Sequence, residues 1–301
     1  MPAARPAARR PDSWSVAALA STVLFVPVWL AALVVFWWPI HLLIPVPFWA
    51  VAVGHLALGL ALLPRPMQRV FLSRLLGARR PTPAEQRLLE PLWQDVLLHT
   101  RLSPQQFVLA VTDSEELNAF ACGGNLVVVT TGAMRALPGR ELQGVLAHEV
   151  GHHLGLYGVA LTIGYWLALP AVALARIGFF LQNVAQAATN AFAHGSTVLT
   201  VIGTAVSVLV RAASWVFLLA VMAWQAVGGV VGRSAELRAD QRAVELGFGR
   251  ELAAAMRRSA VDEPSVRERS RSDRVFDAHP PIRTRIARVE ALTRRAGQPR
   301  A

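Results

Sequence analysis

Lysine is absent from this sequence, and cysteine is nearly so. All 30 basic residues are arginine, and Cys122 is the single cysteine in 301 residues. One cysteine excludes an intramolecular disulfide and a cysteine-rich zinc site, and it suits a domain that faces a reducing cytoplasm. A nucleophilic role for Cys122 is conceivable, but its place before Gly123-Gly124 favours a small packed residue beside a turn.

Charged residues are also scarce. They make up 16% of the chain, against 54% hydrophobic residues, which is unlike an ordinary soluble protein. Apolar runs cover residues 16–38, 40–63, 157–181 and 197–231. Because a helix of about 20 residues crosses a bilayer, we predict about four membrane spans in two hairpins. The last run is longer than one span needs, so it is either one long helix or a re-entrant segment followed by a span.

The net charge of +11 raises the question of a nucleic-acid partner. The chain has no recognised nucleic-acid motif, and its arginines cluster beside the apolar runs, as on the cytoplasmic side of membrane proteins. We therefore predict a lipid bilayer and no nucleic acid as partner. The predicted orientation places both termini in the cytoplasm. The clusters before the first run and after the second are Arg5, Arg9, Arg10, Arg65, Arg69, Arg74, Arg79 and Arg80.

The stretch His148-Glu149-Val150-Gly151-His152 carries the clearest chemistry. Histidines four residues apart lie on one face of a helix, so both imidazoles can reach one zinc ion. Glu149 follows the first histidine, where it can act as general base on a water activated by the metal. The alternative is that this pattern of residues occurs by chance, but that would leave the rest of the chain unexplained.

A catalytic zinc site needs a third protein ligand and an open fourth position. Glu236 and Asp240 are again one helical turn apart, far downstream. We predict that Glu236 ligates one zinc ion per chain while Asp240 holds a ligating imidazole by its other nitrogen. A solvated pair of acidic residues is the alternative.

Together these motifs resemble the gluzincin membrane proteases typified by bacterial HtpX and, more distantly, the CAAX prenyl proteases. Three further stretches match that family: Asn118-Ala119-Phe120, Thr130-Thr131-Gly132, and His279-Pro280-Pro281 with Arg285 after it. The resemblance implies that Asn118, Ala119, Phe120 and Ala121 form an edge strand that pairs with an extended substrate. From sequence alone, an ordinary hairpin strand is the alternative.

The resemblance also points to His279 and Arg285 as catalytic residues. Attack on a peptide carbonyl builds negative charge on its oxygen, and a donor opposite the metal stabilises that charge. In the alternative, His279 is a turn residue and Arg285 belongs to a solvated basic helix. The charged stretch 262–277, just before His279, is a candidate loop over the cleft of the predicted catalytic site.

The predicted fold class is a polytopic α-helical membrane protein of about four spans with a cytoplasmic zincin-like α+β metalloprotease domain. Residues 64–156 and 232–301 would form that domain, and residues 1–63 and 157–231 the two membrane hairpins. The resemblance to HtpX-type proteases implies zinc-dependent endopeptidase action on membrane or misfolded proteins, with protein or peptide substrates as partners. It also implies a bacterial-type inner membrane as the location, with the catalytic domain at the cytoplasmic face. The alternatives are a CAAX-type prenyl-protein peptidase and a catalytically idle membrane scaffold. The oligomeric state stays open.

Overall fold

The computed structural model describes residues 11–100, 102–192, 196–260 and 280–298. The predicted loop 262–277 and His279 lie outside them. Four helices follow the apolar runs: α1 (Ser13–Leu43), α2 (Phe48–Ala61), α6 (Tyr157–Phe192) and α7 (Thr197–Glu245). Of these, α1, α6 and α7 are long and apolar enough to cross a membrane, and α2 qualifies only if it is joined to the helical turns that end at Leu75. The span count is three, or four with that broken pair.

The predicted boundary between the first two spans, at Pro39, is wrong. Helix α1 contains both Pro27 and Pro39 and continues to Leu43. It ends where Pro45 and Pro47 follow, because a proline disfavours helical geometry in the residue before it. Pro45 and Pro47 together restrict two residues within four positions, and the helix ends there. The isolated prolines at 27 and 39 do not end it.

The apolar runs leave residues 182–196 as the connection between the third and fourth spans, but most of this connection is helical, because α6 continues to Phe192. No proline or glycine occurs between Gly178 and Phe192 to stop the helix. The question left open for 197–231 is answered by α7, a single helix of 49 residues. This helix contains the fourth apolar run and also Glu236 and Asp240.

The chain divides into two units, and among the described residues the first comprises 11–19, 59–162 and those from 228 onwards. Its sheet has the strand order β1-β2-β4-β3, with β2 and β4 parallel and β3 antiparallel to β4 at one edge. The strands are β1 (Ala78–Arg79), β2 (Val108–Thr112), β3 (Ala119–Cys122) and β4 (Leu126–Thr130). Strand β1, within the basic segment, was not predicted.

Helices complete this unit. They are α3 (Pro83–Leu98), α4 (Thr131–Ala136), α5 (Gly139–Leu154), α8 (Gly249–Ser259) and α9 (Ile282–Gly297), with short turns at Arg65–Met67, Gln68–Leu72, Ser73–Leu75 and Pro104–Gln106. Thr82 and Glu85 form a capping box that starts α3. Gly123, with a φ of +59°, makes the turn between β3 and β4. The core lies between β2, β4 and helices α3, α5, α8 and α9.

The second unit comprises residues 20–58 and 163–227, taken from α1, α2, α6 and α7. Phe25 and Trp29 of α1, Leu167 of α6 and Trp224 of α7 are buried in its own apolar cluster. Many other large apolar side chains on these helices are exposed, Leu24 at 79% and Leu209 at 69% among them. Apolar side chains on the outside of long apolar helices are what a lipid environment accommodates.

Gly144 provides a test of how α5 packs in the first unit. A Cβ atom at this position would lie far inside van der Waals contact with the backbone nitrogen of Leu252 on α8. We expect Gly144→Ala to destabilise the protein by about 1–3 kcal/mol, because two backbones must separate. Thermal unfolding in detergent measures this, and Gly297→Ala is the matched control because open space surrounds Gly297. Equal melting temperatures for the two variants would contradict this packing.

Candidate metal centre

Helix α5 aims its two histidines at one point. It begins after Pro138, and its apolar residues Leu142, Leu146 and Val150 are fully buried in the core. Since residues four apart share a helix face, His148 and His152 project together, and their Nε2 atoms are 3.2 Å apart.

Helix α7 brings Glu236 to the same point. One carboxylate oxygen, Oε2, lies 3.4 Å from His148 Nε2, and the other, Oε1, lies 3.1 Å from His152 Nε2. Glu236 is 8% exposed and His148 is 6% exposed, so these groups meet away from bulk solvent. Two imidazole nitrogens and one carboxylate therefore converge from distant parts of the sequence. No second cluster of this kind occurs in the described part of the chain.

These separations fit a zinc ion. Zinc bonds of about 2.0–2.1 Å in tetrahedral geometry place neighbouring ligand atoms roughly 3.3 Å apart. The three separations among His148, His152 and Glu236 run from 3.1 to 3.4 Å. Two histidines and one glutamate are also a donor set of catalytic zinc sites, which leave the fourth position for water.

Asp240 lies one turn beyond Glu236 and is completely buried. Its Oδ1 is 3.0 Å from His148 Nδ1, which fixes the ring and leaves Nε2 directed at the site. Burial alone would lower the pKa of His148, but the hydrogen bonds with Asp240 and Glu236 outweigh it and raise that pKa to about 10. The carboxylates thus supply the negative potential that a cation needs here.

Glu149 is buried beside the histidines, at 4% exposure. Burial raises its pKa, while the nearby His148 and His152 and a hydrogen bond with the backbone of Ala121 act in the opposite direction. A carboxylate whose pKa lies above its usual value is better suited to take up a proton and release it again.

Strand β3 lies next to this carboxylate at the edge of the sheet. Only β4 pairs with it among the described strands, so its other backbone edge is not used by the sheet. Ala119, Phe120 and Ala121 are half-buried members of β3, and Asn118 precedes it, where its N–H donates to Thr130 Oγ1 at 3.1 Å. The resemblance implied an edge strand at residues 118–121, one residue before the bounds of β3, and its pairing with a substrate stays a prediction.

Arg285, on α9, contacts the ligand side of the centre. Its Nε and Nη2 donate to both oxygens of Asp240, at 2.9 and 2.7 Å, and Nη1 donates to Glu236 Oε2 at 2.9 Å. A bidentate guanidinium fixes the orientation of a carboxylate. The resemblance implied that Arg285 is a catalytic residue, and that role stays a prediction. In the structure its guanidinium holds the two acidic residues.

Arg242 was not singled out from the sequence. It donates to the carbonyl oxygen of Gly151 at 2.7 Å and pairs with Asp12 at 2.9 Å. Gly151 immediately precedes His152, so Arg242 ties the last turn of α5 to α7 and to the start of α1. Nothing in the sequence marks Arg242 among the other arginines, because its partners are distant in the chain.

Comparison with known proteins assigns the family. The profile described as peptidase family M48 matches residues 83–293. The chain belongs to peptidase family M48. The matched region includes both helices of the metal centre. The resemblance to HtpX-type proteases is confirmed, and the predicted metalloprotease is confirmed at the level of the family.

Relatives of this M48 chain include "Protease HtpX homolog 1" of Streptomyces coelicolor, 40% identical over 79 residues, which are 25% of this chain and 26% of the relative. The "Protease HtpX homolog" of Acidiphilium cryptum is 29% identical over 207 residues, 60% of this chain and 66% of the relative. "Protease HtpX" of Aeromonas hydrophila is 30% identical over 202 residues, 60% of this chain and 64% of that protein. The chain thus spans less than two thirds of the length of each of these relatives.

A solved structure shares the fold of this M48 chain. The crystal structure of S. mikatae Ste24p superposes with a TM-score of 0.53 and 17% identity, over 89% of this chain and 63% of Ste24p. At this identity the likeness concerns the fold alone.

The contacts of Arg285 lead to a prediction about zinc affinity. We expect Arg285→Gln to weaken zinc binding about 10–100-fold, because Glu236 and Asp240 lose the group that orients them. Arg285→Lys should recover part of that loss, since it keeps the charge without the bidentate geometry. Competition with a chelator measures the affinity, and Arg288→Gln, at an exposed position on α9, is the control. If zinc affinity stayed unchanged while kcat collapsed, Arg285 would instead act on the substrate.

Proposed function

We propose that this M48 chain is a membrane-embedded zinc endopeptidase, with one zinc ion per chain held by His148, His152 and Glu236. The observation that carries the proposal is the convergence of two imidazole nitrogens and one carboxylate beside the buried carboxylate of Glu149. The two nitrogens are 3.2 Å apart, and each lies 3.1–3.4 Å from one of the two Glu236 oxygens. Zinc in such a site supplies Lewis-acid activation of water and of the substrate carbonyl.

Residues of the chain transfer the proton and position the metal ligands. Glu149 takes a proton from the attacking water and passes it to the leaving amine, which lets one carboxylate serve both half-reactions. Asp240 keeps the His148 ring in place through its Nδ1. Arg285 orients Asp240 and Glu236 through three short contacts.

Strand β3 supports a role in substrate binding. The backbone from Asn118 to Ala121 would pair with an extended polypeptide and present its peptide bond to Glu149. Such main-chain recognition suits unfolded segments, and the apolar helices suit a membrane setting. The proposed substrates are therefore membrane or misfolded proteins at the cytoplasmic face, in protein quality control. His279 remains a proposed donor to the carbonyl oxygen.

Zinc analysis together with cleavage of casein by the detergent-purified chain tests the proposal. His148→Ala/His152→Ala should lose both zinc and activity. Glu149→Gln should keep zinc and lose about 10²–10⁴-fold in kcat, because only the base is removed. His279→Ala should keep zinc and KM and lose about 10²–10³-fold in kcat.

His99→Gln is the control, because this histidine is exposed at the end of α3. It should leave zinc content and turnover unchanged. Stoichiometric zinc in the double histidine variant would refute the metal assignment. Near-normal turnover by Glu149→Gln would remove its role as base. An idle scaffold instead predicts no turnover by the unmodified chain and no change of phenotype in Glu149→Gln.

The CAAX-type alternative uses the same zinc chemistry and differs in substrate. The fold shared with Ste24p does not separate the two functions, since a likeness at 17% identity carries no substrate information. A farnesylated peptide assayed beside casein does separate them. Cleavage restricted to the prenylated peptide would favour the CAAX-type peptidase.

The orientation in the membrane has its own test. Arginines cluster before α1 and after α2, whereas residues 182–196 carry no charge, so the proposed centre and both termini face the cytoplasm. An alkaline-phosphatase reporter inserted between α6 and α7 should be active, and one fused after the last residue should be silent. The reverse pattern would place the centre on the other side of the membrane.

A further inference from the structure

A basic cleft lies in the first unit and is lined by none of the residues of the metal centre. Its volume is about 550 Å³, and it is formed by the segment from Arg65 to Pro81, helix α3 and strand β2. The side chains that matter for its chemistry are Arg65, Arg69, Arg79, Arg80, Glu90 and Trp93.

The positive charge of this cleft is only partly neutralised. Arg79 pairs with Glu85 and with Asp113, each at 2.7 Å. Arg65 donates through Nε to the carbonyl oxygen of Phe107 at 3.1 Å, a neutral partner. Among the described residues, neither Arg69 nor Arg80 forms an ion pair, and Glu90 is the single acidic residue in the cleft wall. Three guanidinium groups thus remain available to an anion.

The wall that carries Arg65 and Arg69 also has an exposed apolar face. Met67 is 45% exposed, Val70 52%, Phe71 53% and Leu75 69%. These residues follow directly on the apolar helix α2 in the chain. A helical segment with apolar side chains on one face and arginines beside them is typical of one that lies in a membrane interface.

The segment is anchored to the sheet, so the cleft has a fixed wall. Gln68 is completely buried, its Nε2 donates to the carbonyl oxygen of Leu63 at 2.5 Å, and its Oε1 accepts from Asn125 N at 2.9 Å. A buried amide with partners on both sides holds the π turn Gln68–Leu72 against the β3–β4 turn. Arg65 and Arg69 flank this anchor and border the cleft.

We propose that this cleft binds the phosphate headgroup of an anionic phospholipid, whose acyl chains lie along the exposed side chains of Met67, Val70, Phe71 and Leu75. Arginine matches phosphate oxygens with paired N–H donors, which accounts for the headgroup. The apolar face distinguishes a lipid from free phosphate, which has no apolar part to bury. This site is independent of zinc and of the proposed peptidase activity.

Native mass spectrometry of the detergent-purified full chain tests the proposal, with phosphatidylglycerol and phosphatidylcholine as probes. We expect the chain to retain phosphatidylglycerol in preference to phosphatidylcholine. Arg65→Gln/Arg69→Gln/Arg80→Gln should weaken that binding on the order of 100-fold, because each basic residue near an anionic surface contributes a factor of about five. Phe71→Ser/Leu75→Ser should weaken it as well, and inorganic phosphate at millimolar concentration should not displace the lipid.

Arg87→Gln/Arg250→Gln/Arg295→Gln is the matched control, since it removes the same charge from exposed positions outside the cleft. Thermal unfolding of each variant verifies the fold. Equal loss of lipid in the control and in the cleft variant would overturn the site, because net charge would then explain binding. Displacement by inorganic phosphate, or equal retention of both lipids, would overturn the assignment to an anionic lipid headgroup.

Discussion

The close approach of α5 and α7 is the constraint on which the metal centre depends. A Cβ atom at Gly151 would lie 3.0 Å from the carbonyl oxygen of Ala239, so the absent side chain is what lets the two helices meet. Ala239 is fully buried at this crossing. Because His152 follows Gly151 and Asp240 follows Ala239, one contact sets the separation between the imidazoles and the acidic residues. A shift between the two helices here would move Glu236 relative to the imidazoles, which stay together because both belong to α5.

Buried charge is the second constraint. Glu149, Glu236, Asp240 and Arg285 all lie close to two histidines in a region nearly closed to solvent. Isolated ionised groups in such surroundings are very unfavourable, so each must have a partner. The guanidinium of Arg285 pairs with the carboxylates of both Glu236 and Asp240. The imidazoles of His148 and His152 contact the same two carboxylates. The site is therefore a mutually compensated set, in which removing one member leaves another charge uncompensated.

The sequence predicts the local parts of this arrangement and the approach of Glu236 and Asp240 to the histidines, but it misses other features that depend on tertiary packing. His148, Glu149 and His152 could be found because a helical repeat of four is local. The edge strand came from the family resemblance, since the sequence alone favoured an ordinary hairpin strand. The ends of α1 and α6 could not, since helices continue through a proline or an uncharged stretch when nothing local breaks them. The contacts of Arg285 with Asp240 and Glu236 were not predicted, because α9 and α7 are distant in sequence. Strand β1 has two residues and too little pattern to be recognised.

The position of Glu236 on α7 has a consequence for biosynthesis. Ribosomes deliver the two histidines first, and the chain must then grow through all of α6 and most of α7 before the third donor exists. At about 5–20 residues per second, that interval lasts several seconds. A nascent chain with α7 incomplete carries an unfinished donor set, and Gly151 has no Ala239 to pack against. The order of residues alone thus delays assembly of the centre until both long apolar helices have been made.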